Sequence, residues 1–253
     1  MIVWQVYRSS RAIRYVTLIR SARAHRDEKK RKMTKRPQEI TLQHVRDLMY
    51  TAVICDALDS IGYPNQSPRV ALRQLTAEHM MVGRCRTTLW ADMYHQDLRP
   101  YDLELKAVDS CQPDDVFVAA AGGSMRSGIW GELLTTAALK GGCIGAIVDG
   151  AVRDVRKIRQ LNFPVFARGT CIYDSKDRQR VIDRDVPVEI DSVVFAPGDL
   201  VVADEDGIVV VPRRVEAEVL ELAWDKVHDE NKVRKAIEGG MKAGDAFAKF
   251  GVL

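Results

Sequence analysis

The chain has 253 residues, 46% of them hydrophobic and 29% charged, which are the proportions of an ordinary globular protein. No apolar run reaches the roughly 18 residues that a membrane-spanning helix needs, so we expect a soluble protein with no membrane partner. The net charge of +3 is unevenly distributed, because residues 1–36 hold twelve Lys or Arg and two acids, a balance of +10 that leaves −7 for the rest. A body this acidic is not expected to bind nucleic acid.

The basic segment 1–36 has three interpretations. Its Arg and Ser content, with no acid before Asp27, is typical of an organelle presequence. It also fits a disordered basic arm. In the third interpretation Met33 is the natural initiator of a body that begins near Pro37. We therefore divide the chain into an extension over 1–36, disordered or not native, and a single domain over 37–253 that includes a C-terminal helix.

The first half of the body predicts helices and strands in mixed order. Thr41 is an N-cap for a periodic apolar stretch, which predicts a helix over 42–61 that stops at Gly62. Four further elements follow from their apolar patterns and breakers. They are strands at 70–75 and 81–89, a helix with flanking loops within 92–113, and a buried strand over 115–121.

The second half begins with helices alternating with strands, which predicts an α/β fold. The expected elements are a helix over 129–140, a strand over 144–149, a helix over 152–161 and a strand over 164–167. The last third is β-rich, with strands at 186–190, 192–195, 200–203 and 208–211, followed by a long helix from 215 to 237.

The cysteines and histidines do not predict a zinc site. The five cysteines contain no Cys-x-x-Cys pair, and the five histidines show no ligand spacing. The cysteines are better explained as buried thiols of a reducing compartment, which favours the cytoplasm. Any metal is then expected to be held mainly by oxygen, the preference of Mg²⁺ or Mn²⁺.

Residues 121–170 contain two transitions from a strand to a helix. The first passes through a Gly-rich loop to a helix beginning at Gly131-Glu132, where the backbone N–H groups of Glu132, Leu133 and Leu134 can bind an anion. The second ends at Arg153-Asp154. Because ligands of α/β sheets bind outside the carboxyl ends of the strands, the two transitions predict one shared anion site.

Arg153 and Asp154 combine a fixed cation with a hard oxygen ligand. That pair suits an oxo-acid bound to a metal, with Asp154 holding the metal and Arg153 stabilising an enolate as it forms. In the competing interpretation Asp154 caps its own helix and Arg153 makes a surface salt bridge. The residues alone predict an anion site and leave its metal open.

Other candidates carry weaker signals. Gly122-Gly123 and the glycines after them lack the spacing of a dinucleotide fingerprint or a P-loop. Ser124 and Ser127 have no convincing His partner for nucleophilic catalysis. Asp204–Asp206 could form a metal cluster but better fits an acidic hairpin turn closed by Gly207. His228 is more typical of a packing or solvated residue than of a base.

Four motifs resemble those of the RraA-like family and follow one another in the family's order. They are CDALDSIGY (55–63), GELLTTAALKGGCIGAIVDGAVRD (131–154), FPVFARG (163–169) and PGDLVVADEDGIVVVP (197–212). The resemblance covers about residues 41–240. That family includes 4-hydroxy-4-methyl-2-oxoglutarate aldolases, which also decarboxylate oxaloacetate, and the regulator of ribonuclease E activity A. The resemblance implies an α/β/β/α sandwich of the swivelling β/β/α type, assembled as homotrimers or homohexamers with sites at subunit boundaries.

The resemblance also implies roles for individual residues, because the family's aldolases carry an acid, twenty residues and then Arg-Asp. Here Glu132 precedes Arg153-Asp154 by that spacing. Asp154 would bind Mg²⁺ (or Mn²⁺), and Arg153 would contact the substrate carbonyl oxygen. Backbone amides in the segment Gly131-Glu132-Leu133-Leu134 would hold the carboxylate, while Glu132 positions a water. Glu230 would reach the metal's water shell in a neighbouring subunit.

Two segments depart from the aldolase pattern. The loop 124–130 differs, and Arg126 with Trp130 is expected to recognise a different distal group of the substrate. The segment 173–177 is also expected to be specific to a subgroup.

The resemblance implies a divalent-metal-dependent aldolase and decarboxylase. Its substrate would be a 4-hydroxy-2-oxo-dicarboxylic acid, its product pyruvate, and oxaloacetate would also react. The alternative is a non-catalytic regulator that binds an RNA-processing enzyme such as ribonuclease E, since one fold can serve both functions.

Overall fold

The computed structural model describes residues 36–252, so the three interpretations of the basic extension fall outside the described residues. From Ile40 onward the chain forms one compact unit. Among the described helices, none is long and apolar enough to cross a membrane.

The unit contains seven α-helices and eleven strands among the described residues. The helices are α1 (Leu42–Leu48), α2 (Thr51–Ser60), α3 (Asp102–Asp109), α4 (Glu132–Lys140), α5 (Val155–Gln160), α6 (Glu216–Glu238) and α7 (Ala243–Phe250). The strands are β1 (Arg73–Gln74), β2 (Met81–Asp92), β3 (Asp115–Ala120), β4 (Gly128–Trp130), β5 (Gly145–Val152), β6 (Val165–Thr170), β7 (Gln179–Arg184), β8 (Val188–Ile190), β9 (Val193–Phe195), β10 (Leu200–Asp204) and β11 (Gly207–Val211).

Nine strands form one mixed sheet. Its main path is β1-β6-β5-β3-β2-β10-β11, with β4 paired to β5 and β7 paired to β2. The central strands β2, β3, β5 and β6 are parallel, whereas β1, β7, β10 and β11 pair antiparallel to their neighbours. The hairpin β8–β9 stands apart as a second sheet. Parallel neighbours bring the carboxyl ends of β3, β5 and β6 to one edge, where a ligand site is expected.

Alternating side chains divide the core into layers. In β3, Phe117 and Ala119 pack with residues of α3, α4 and α5, while Val116 and Val118 face an interior shared with β8–β11. In β10, Val201 faces that interior and Val202 packs with α1, α2 and α6. This is an α/β/β/α arrangement around a nearly closed sheet, and it confirms the predicted fold class.

The predicted helix over 42–61 is wrong in one respect, because it is two helices. Met49 and Tyr50 are extended, and α2 begins at Thr51. The carboxylate of Asp204 accepts hydrogen bonds from the Thr51 backbone N–H at 2.8 Å and from its hydroxyl at 2.6 Å. Asp204 thereby caps α2, a contact from a distant part of the chain that favours a new helix start.

Other boundaries shift for similar tertiary reasons. The helix predicted from 129 begins at Glu132, because Gly128–Trp130 pairs with β5 as a strand. The helix predicted from 152 begins at Val155 for the same reason. Strand β7 and helix α7 were not predicted.

Candidate active site

The site forms where β4 lies beside the end of β5. Gly128 pairs with Ala151 and Trp130 with Val152, and the Arg153 backbone N–H donates to the Trp130 carbonyl at 2.8 Å. Both strands end at the same level, so the residues that follow them become neighbours. Gly131-Glu132 therefore lies against Arg153-Asp154, as the strand-end argument predicted.

Asp154 contacts the start of α4. Its Oδ2 accepts a hydrogen bond from the Glu132 backbone N–H at 3.2 Å. The first backbone hydrogen bond of that helix runs from Thr135 to the Gly131 carbonyl, so the three N–H groups before Thr135 have no partner within the helix. A carboxylate at this point is stabilised by the helix dipole.

Gly131 is required by this contact. A Cβ atom at that position would lie 2.8 Å from Asp154 Oδ2 and 3.3 Å from Arg153 Nε. Gly128 must also lack a side chain, because its Cβ would lie 2.5 Å from the Cys171 carbonyl and 2.9 Å from Arg153 Cβ. Two side-chain-free positions thus allow Arg153 and Asp154 to approach the neighbouring backbone.

The competing interpretation of Asp154 as a helix cap is not supported. Asp154 occupies the N-cap position of α5, but its side chain makes no capping hydrogen bond. It has a left-handed backbone, with φ +59°, which non-glycine residues adopt rarely. Strained backbone of this kind is concentrated at functional sites. The carboxylate points to Glu132 of another helix and remains 43% exposed.

Arg153 lies between two carboxylates. Its Nη2 is 2.8 Å from Asp174 Oδ2, and its Nε is 4.0 Å from Asp154 Oδ2. Asp174 Oδ1 accepts hydrogen bonds from the Tyr101 hydroxyl and from the Lys176 backbone N–H, each at 2.7 Å. Burial alone would raise the pKa of Asp174, but these hydrogen bonds and the charge of Arg153 lower it. Asp174 is therefore a fixed anion.

Behind this ion pair lies a buried acid, Glu104 of α3. The residue is 5% exposed, and its Oε2 has no hydrogen-bond partner. Burial, followed by repulsion from Asp174, raises the pKa of Glu104 to about 8, and the charge of Arg153 only partly opposes this. Glu104 therefore carries a proton at neutral pH.

The Gly-rich loop is held by a buried ion pair. Asp149, 2% exposed, accepts hydrogen bonds from the Gly123 backbone N–H through its carbonyl at 3.0 Å and its Oδ2 at 3.1 Å. Its Oδ1 binds Arg168 Nε at 2.5 Å. The loop that follows is thus fixed at its base.

The expectation for Arg126 and Trp130 must be corrected in part. Trp130 is 1% exposed and packs between Phe117 and Phe163, so it cannot contact a ligand of the site. Strand pairing of β4 with β5 directs this side chain into the core. Arg126 remains accessible and stacks over the exposed ring of Tyr94, with Cζ 4.1 Å from the centroid.

A divalent cation fits the residues at Asp154. The side chain offers an accessible carboxylate, and the absence of a Cβ at Gly131 keeps a methyl group from crowding its Oδ2. In the part of the chain that the structure describes, no group of three or more His, Cys, Asp or Glu side chains could enclose a metal ion. A cation here would keep mostly water and substrate ligands, as Mg²⁺ commonly does.

The weaker candidates have structural partners. Ser127 is buried and bonded to Gln179 Oε1 at 2.5 Å, and Ser124 donates to Asp92 at 2.8 Å. Asp204 pairs with Gly207 in the turn between β10 and β11, which confirms the acidic hairpin turn.

The two candidates on α6 also have partners within the chain. His228 stacks on Trp224, with centroids 4.6 Å apart. Glu230 is half-buried, accepts a hydrogen bond from the Tyr50 hydroxyl and lies 3.9 Å from Lys226 Nζ. These contacts place Glu230 on the helical layer of α1, α2 and α6. Its expected role toward a neighbouring subunit stays a prediction.

Sequence reasoning missed Tyr101 and Glu104, and it marked Asp174 only as part of the segment 173–177, without a role at Arg153. For Glu104 a signal was present, because it lies three and four positions before Ala107 and Val108 on the buried face of α3. An acid on an apolar helix face is a candidate for a perturbed pKa. Asp174 lies in an irregular segment, and no pattern in the sequence joins it to Arg153.

Comparisons with known proteins identify the family that this chain resembles. The family model RraA-like, described as Aldolase/RraA, matches residues 51–210. A protein of Halalkalibacterium halodurans, which carries the unverified name 4-hydroxy-4-methyl-2-oxoglutarate aldolase, is 35% identical over 78% of this chain and 89% of its own.

Solved structures resemble the chain over most of its length. Streptomyces coelicolor RraAS2, described as an unusual member of the RNase ES inhibitor RraA protein family, aligns with a TM-score of 0.69 and 30% identity, over 80% of this chain and 99% of its own. An uncharacterized protein from Pseudomonas syringae aligns with a TM-score of 0.71 and 29% identity, over 85% of this chain and 99% of its own.

Proposed function

The chain belongs to the RraA-like family, and from that premise we propose that it is a divalent-metal-dependent carbon–carbon lyase. Its substrate class is a 4-hydroxy-2-oxo-dicarboxylic acid, cleaved to release pyruvate, and it also decarboxylates oxaloacetate. One observation carries the proposal: the carboxylate of Asp154, the guanidinium of Arg153 and the N-terminus of α4 converge at one point.

The substrate's 2-oxo-acid end would bind at the start of α4. The backbone N–H groups of Leu133 and Leu134 precede the first hydrogen bond within the helix and can hold the carboxylate. Asp154 would hold Mg²⁺ or Mn²⁺, and the cation supplies Lewis acidity toward the carbonyl oxygen. Arg153 donates hydrogen bonds to the same oxygen.

Cleavage requires a sink for electrons and a base for a proton. As the C3–C4 bond breaks, C4 becomes the carbonyl carbon of the departing fragment, and the electron pair moves through C3 toward the C2 carbonyl oxygen, where Arg153 stabilises the developing negative charge. Glu132 and a water accept the proton of the 4-hydroxyl group. The Glu132 carboxylate is half-exposed and accepts a hydrogen bond from Thr136 at 3.1 Å, so it is oriented at the start of the helix. Protonation of the enolate carbon then gives pyruvate.

Oxaloacetate presents the same 2-oxo-acid end. Loss of its distal carboxylate as CO₂ leaves the same electron pair on the carbonyl side and needs no hydroxyl base. Arg126, accessible beside Tyr94, is our candidate for binding the distal carboxylate of the aldol substrate, which is retained through cleavage.

The similarity to Streptomyces coelicolor RraAS2 favours a second candidate, a regulator that binds an RNA-processing enzyme. The two functions differ in what they need from the site. A lyase requires Asp154 and Arg153, whereas a regulator requires an outer surface.

The deciding experiment is pyruvate release from oxaloacetate by metal-stripped protein with added Mg²⁺, Mn²⁺ or EDTA. We expect metal-dependent turnover inhibited by oxalate, a planar mimic of the pyruvate enolate. Asp206→Ala is a matched control, because it removes an exposed acid from the acidic turn without touching Asp154. A metal-loaded protein that neither turns over oxaloacetate nor binds oxalate would support the regulator instead.

A further inference from the structure

The segment after β6 brings an acid to Arg153 through backbone pairing. The Cys171 backbone N–H donates to the Val152 carbonyl at 3.0 Å, and the Gly128 N–H donates to the Tyr173 carbonyl at 2.9 Å. These two bonds fix the segment against the end of β5 and the start of β4. Asp174 follows directly, and its carboxylate meets the Arg153 guanidinium at 2.8 Å.

Asp174 is itself held from two sides. The Tyr101 hydroxyl comes from the residue before α3, and the Lys176 N–H comes from the same segment, both to Oδ1. Oδ2 is left for Arg153. One carboxylate oxygen of Asp174 is thus held by Tyr101 and Lys176, while the other binds the guanidinium. These contacts fix both the position and the direction of the anion.

We propose that Asp174 is a positioning residue for Arg153, with Tyr101 acting through Asp174. The proposal rests on the lyase function proposed above and adds to it a second layer of residues. The Arg153 guanidinium lies 4.0 Å from the Asp154 carboxylate, which would hold the cation. The positive charge of Arg153 would therefore lie close to the positive charge of that cation. Asp174 offsets that repulsion and restricts the rotation of the guanidinium fork.

Glu104, although it is an acid beside this ion pair, does not add a further negative charge. It is buried next to Asp174, Arg153 and Tyr101. A protonated Glu104 adds no charge, so the charged partners of Arg153 are Asp174 at 2.8 Å and Asp154 at 4.0 Å. An acid of full charge at Glu104 would compete for the guanidinium.

The test compares Asp174→Asn with Asp177→Asn in the same segment. Asp177 receives the Asp97 backbone N–H at 2.9 Å and therefore controls for changes in the segment itself. With Mg²⁺ and oxaloacetate, we expect Asp174→Asn to lower kcat by about 10- to 100-fold with little change in KM, because a misplaced group acts on the transition state. Asp174→Glu should recover part of the loss, and Asp177→Asn should retain wild-type kcat.

A second readout needs neither metal nor substrate. The ¹H–¹⁵N signals of the Arg153 guanidinium, assigned from Arg153→Lys, should show restricted rotation in the wild type and averaging in Asp174→Asn. Tyr101→Phe should lower kcat by itself but add nothing to Asp174→Asn, since it acts through that residue.

The outcomes separate this proposal from the one on which it rests. An active wild type with unchanged kcat and unchanged guanidinium signals in Asp174→Asn would overturn the positioning role alone, as would additive effects of Tyr101→Phe. An inactive wild type would overturn the lyase, and the guanidinium signals would then decide whether Asp174 positions Arg153.

Discussion

The carboxylate of Asp154 accepts a hydrogen bond from the backbone N–H of Glu132, so the N-cap residue of one helix serves the first turn of another. The carboxylate of Asp154 is stabilised by the N-terminus of α4, although Asp154 itself precedes α5. It is therefore fixed in position and yet still accessible to a ligand.

The first prediction concerns Asp154 itself. Asp154→Asn should lower kcat for oxaloacetate by about 100-fold or more and abolish the response to Mg²⁺, because the amide is a poor cation ligand. Asn tolerates the left-handed backbone of this position, whereas Asp154→Ala should also cost about 1 kcal/mol in stability. Mn²⁺ binding and thermal unfolding of both variants check this. Full activity in Asp154→Asn would contradict the proposed metal site.

The second prediction concerns the guanidinium of Arg153. Arg153→Lys should reduce kcat by about 100-fold with a smaller change in KM, since an ammonium group lacks the planar fork that spans Asp174 and the carbonyl oxygen. Arg156→Lys, on the exposed face of α5, is the matched control and should behave as wild type. A raised KM with unchanged kcat would instead make Arg153 a simple binding residue.

The third prediction concerns Gly131. Gly131→Ala places a methyl group 2.8 Å from Asp154 Oδ2, so either the carboxylate or the start of α4 must shift. We expect kcat to fall by at least about 10-fold, with weaker Mn²⁺ binding. Gly244→Ala, which meets open space in α7, should change neither quantity. Equal behaviour of the two variants would show that the approach of Asp154 to Gly131 is unimportant.

The fourth prediction concerns the pH dependence of stability through Glu104. Its pKa is about 8 in the folded protein and near 4.5 in the unfolded chain, so the folded state binds the extra proton between these values. The stabilising contribution is complete below about 4.5 and is lost as the pH rises through about 8. Glu104→Gln removes this dependence, and we expect the variant to gain on the order of a few kcal/mol relative to wild type between pH 5 and pH 9.

Urea unfolding at intervals across that range measures the effect. Asp109→Asn, exposed on the same helix, should follow the wild-type curve with a constant offset. Parallel curves for Glu104→Gln and wild type would mean that Glu104 is ionised in the folded protein or reaches water.

The fifth prediction concerns Glu230, which the family resemblance assigns to a neighbouring subunit's site. Within its own chain it binds Tyr50, and burial together with this hydrogen bond raises the pKa of Tyr50 to about 12. If Glu230 serves a second copy, a mixture of Asp154→Asn and Glu230→Gln subunits should regain activity, because some sites then contain both native residues. Glu238→Gln, exposed on the same helix, should retain activity alone. Mixtures that stay inactive after subunit exchange would make Glu230 a structural partner of Tyr50.

The centre of the site could be predicted from the sequence because it depends on strand ends. Parallel strands place their carboxyl ends at one edge, so two Gly-rich transitions were enough to bring Glu132 and Arg153-Asp154 together. The break at Met49–Tyr50 could not be predicted, since its cause is Asp204, far along the chain. The same applies to Asp174, whose place depends on hydrogen bonds between a loop and two strands.

Burial of Trp130 was unpredictable for another reason. A three-residue strand carries too little periodicity to reveal which side faces the core. Only the pairing of β4 with β5 decides that its indole packs on Phe117 and Phe163 and donates to Thr135 at 2.9 Å.

The buried indole of Trp130 lies between a stretch of sequence that can vary, residues 124–126, and a stretch that is constrained, which begins at Gly131. Trp130 anchors the start of α4 to the core, one residue before Gly131, so the proposed metal site at Asp154 lies beside a rigid part of the hydrophobic interior. The preceding residues 124–126 are accessible and joined to the base of the loop by Asp149. Under the proposed lyase function, new side chains at Ser124, Met125 or Arg126 would alter which distal group is accepted while Arg153 and Asp154 are preserved, so substrate range and catalytic power would evolve independently.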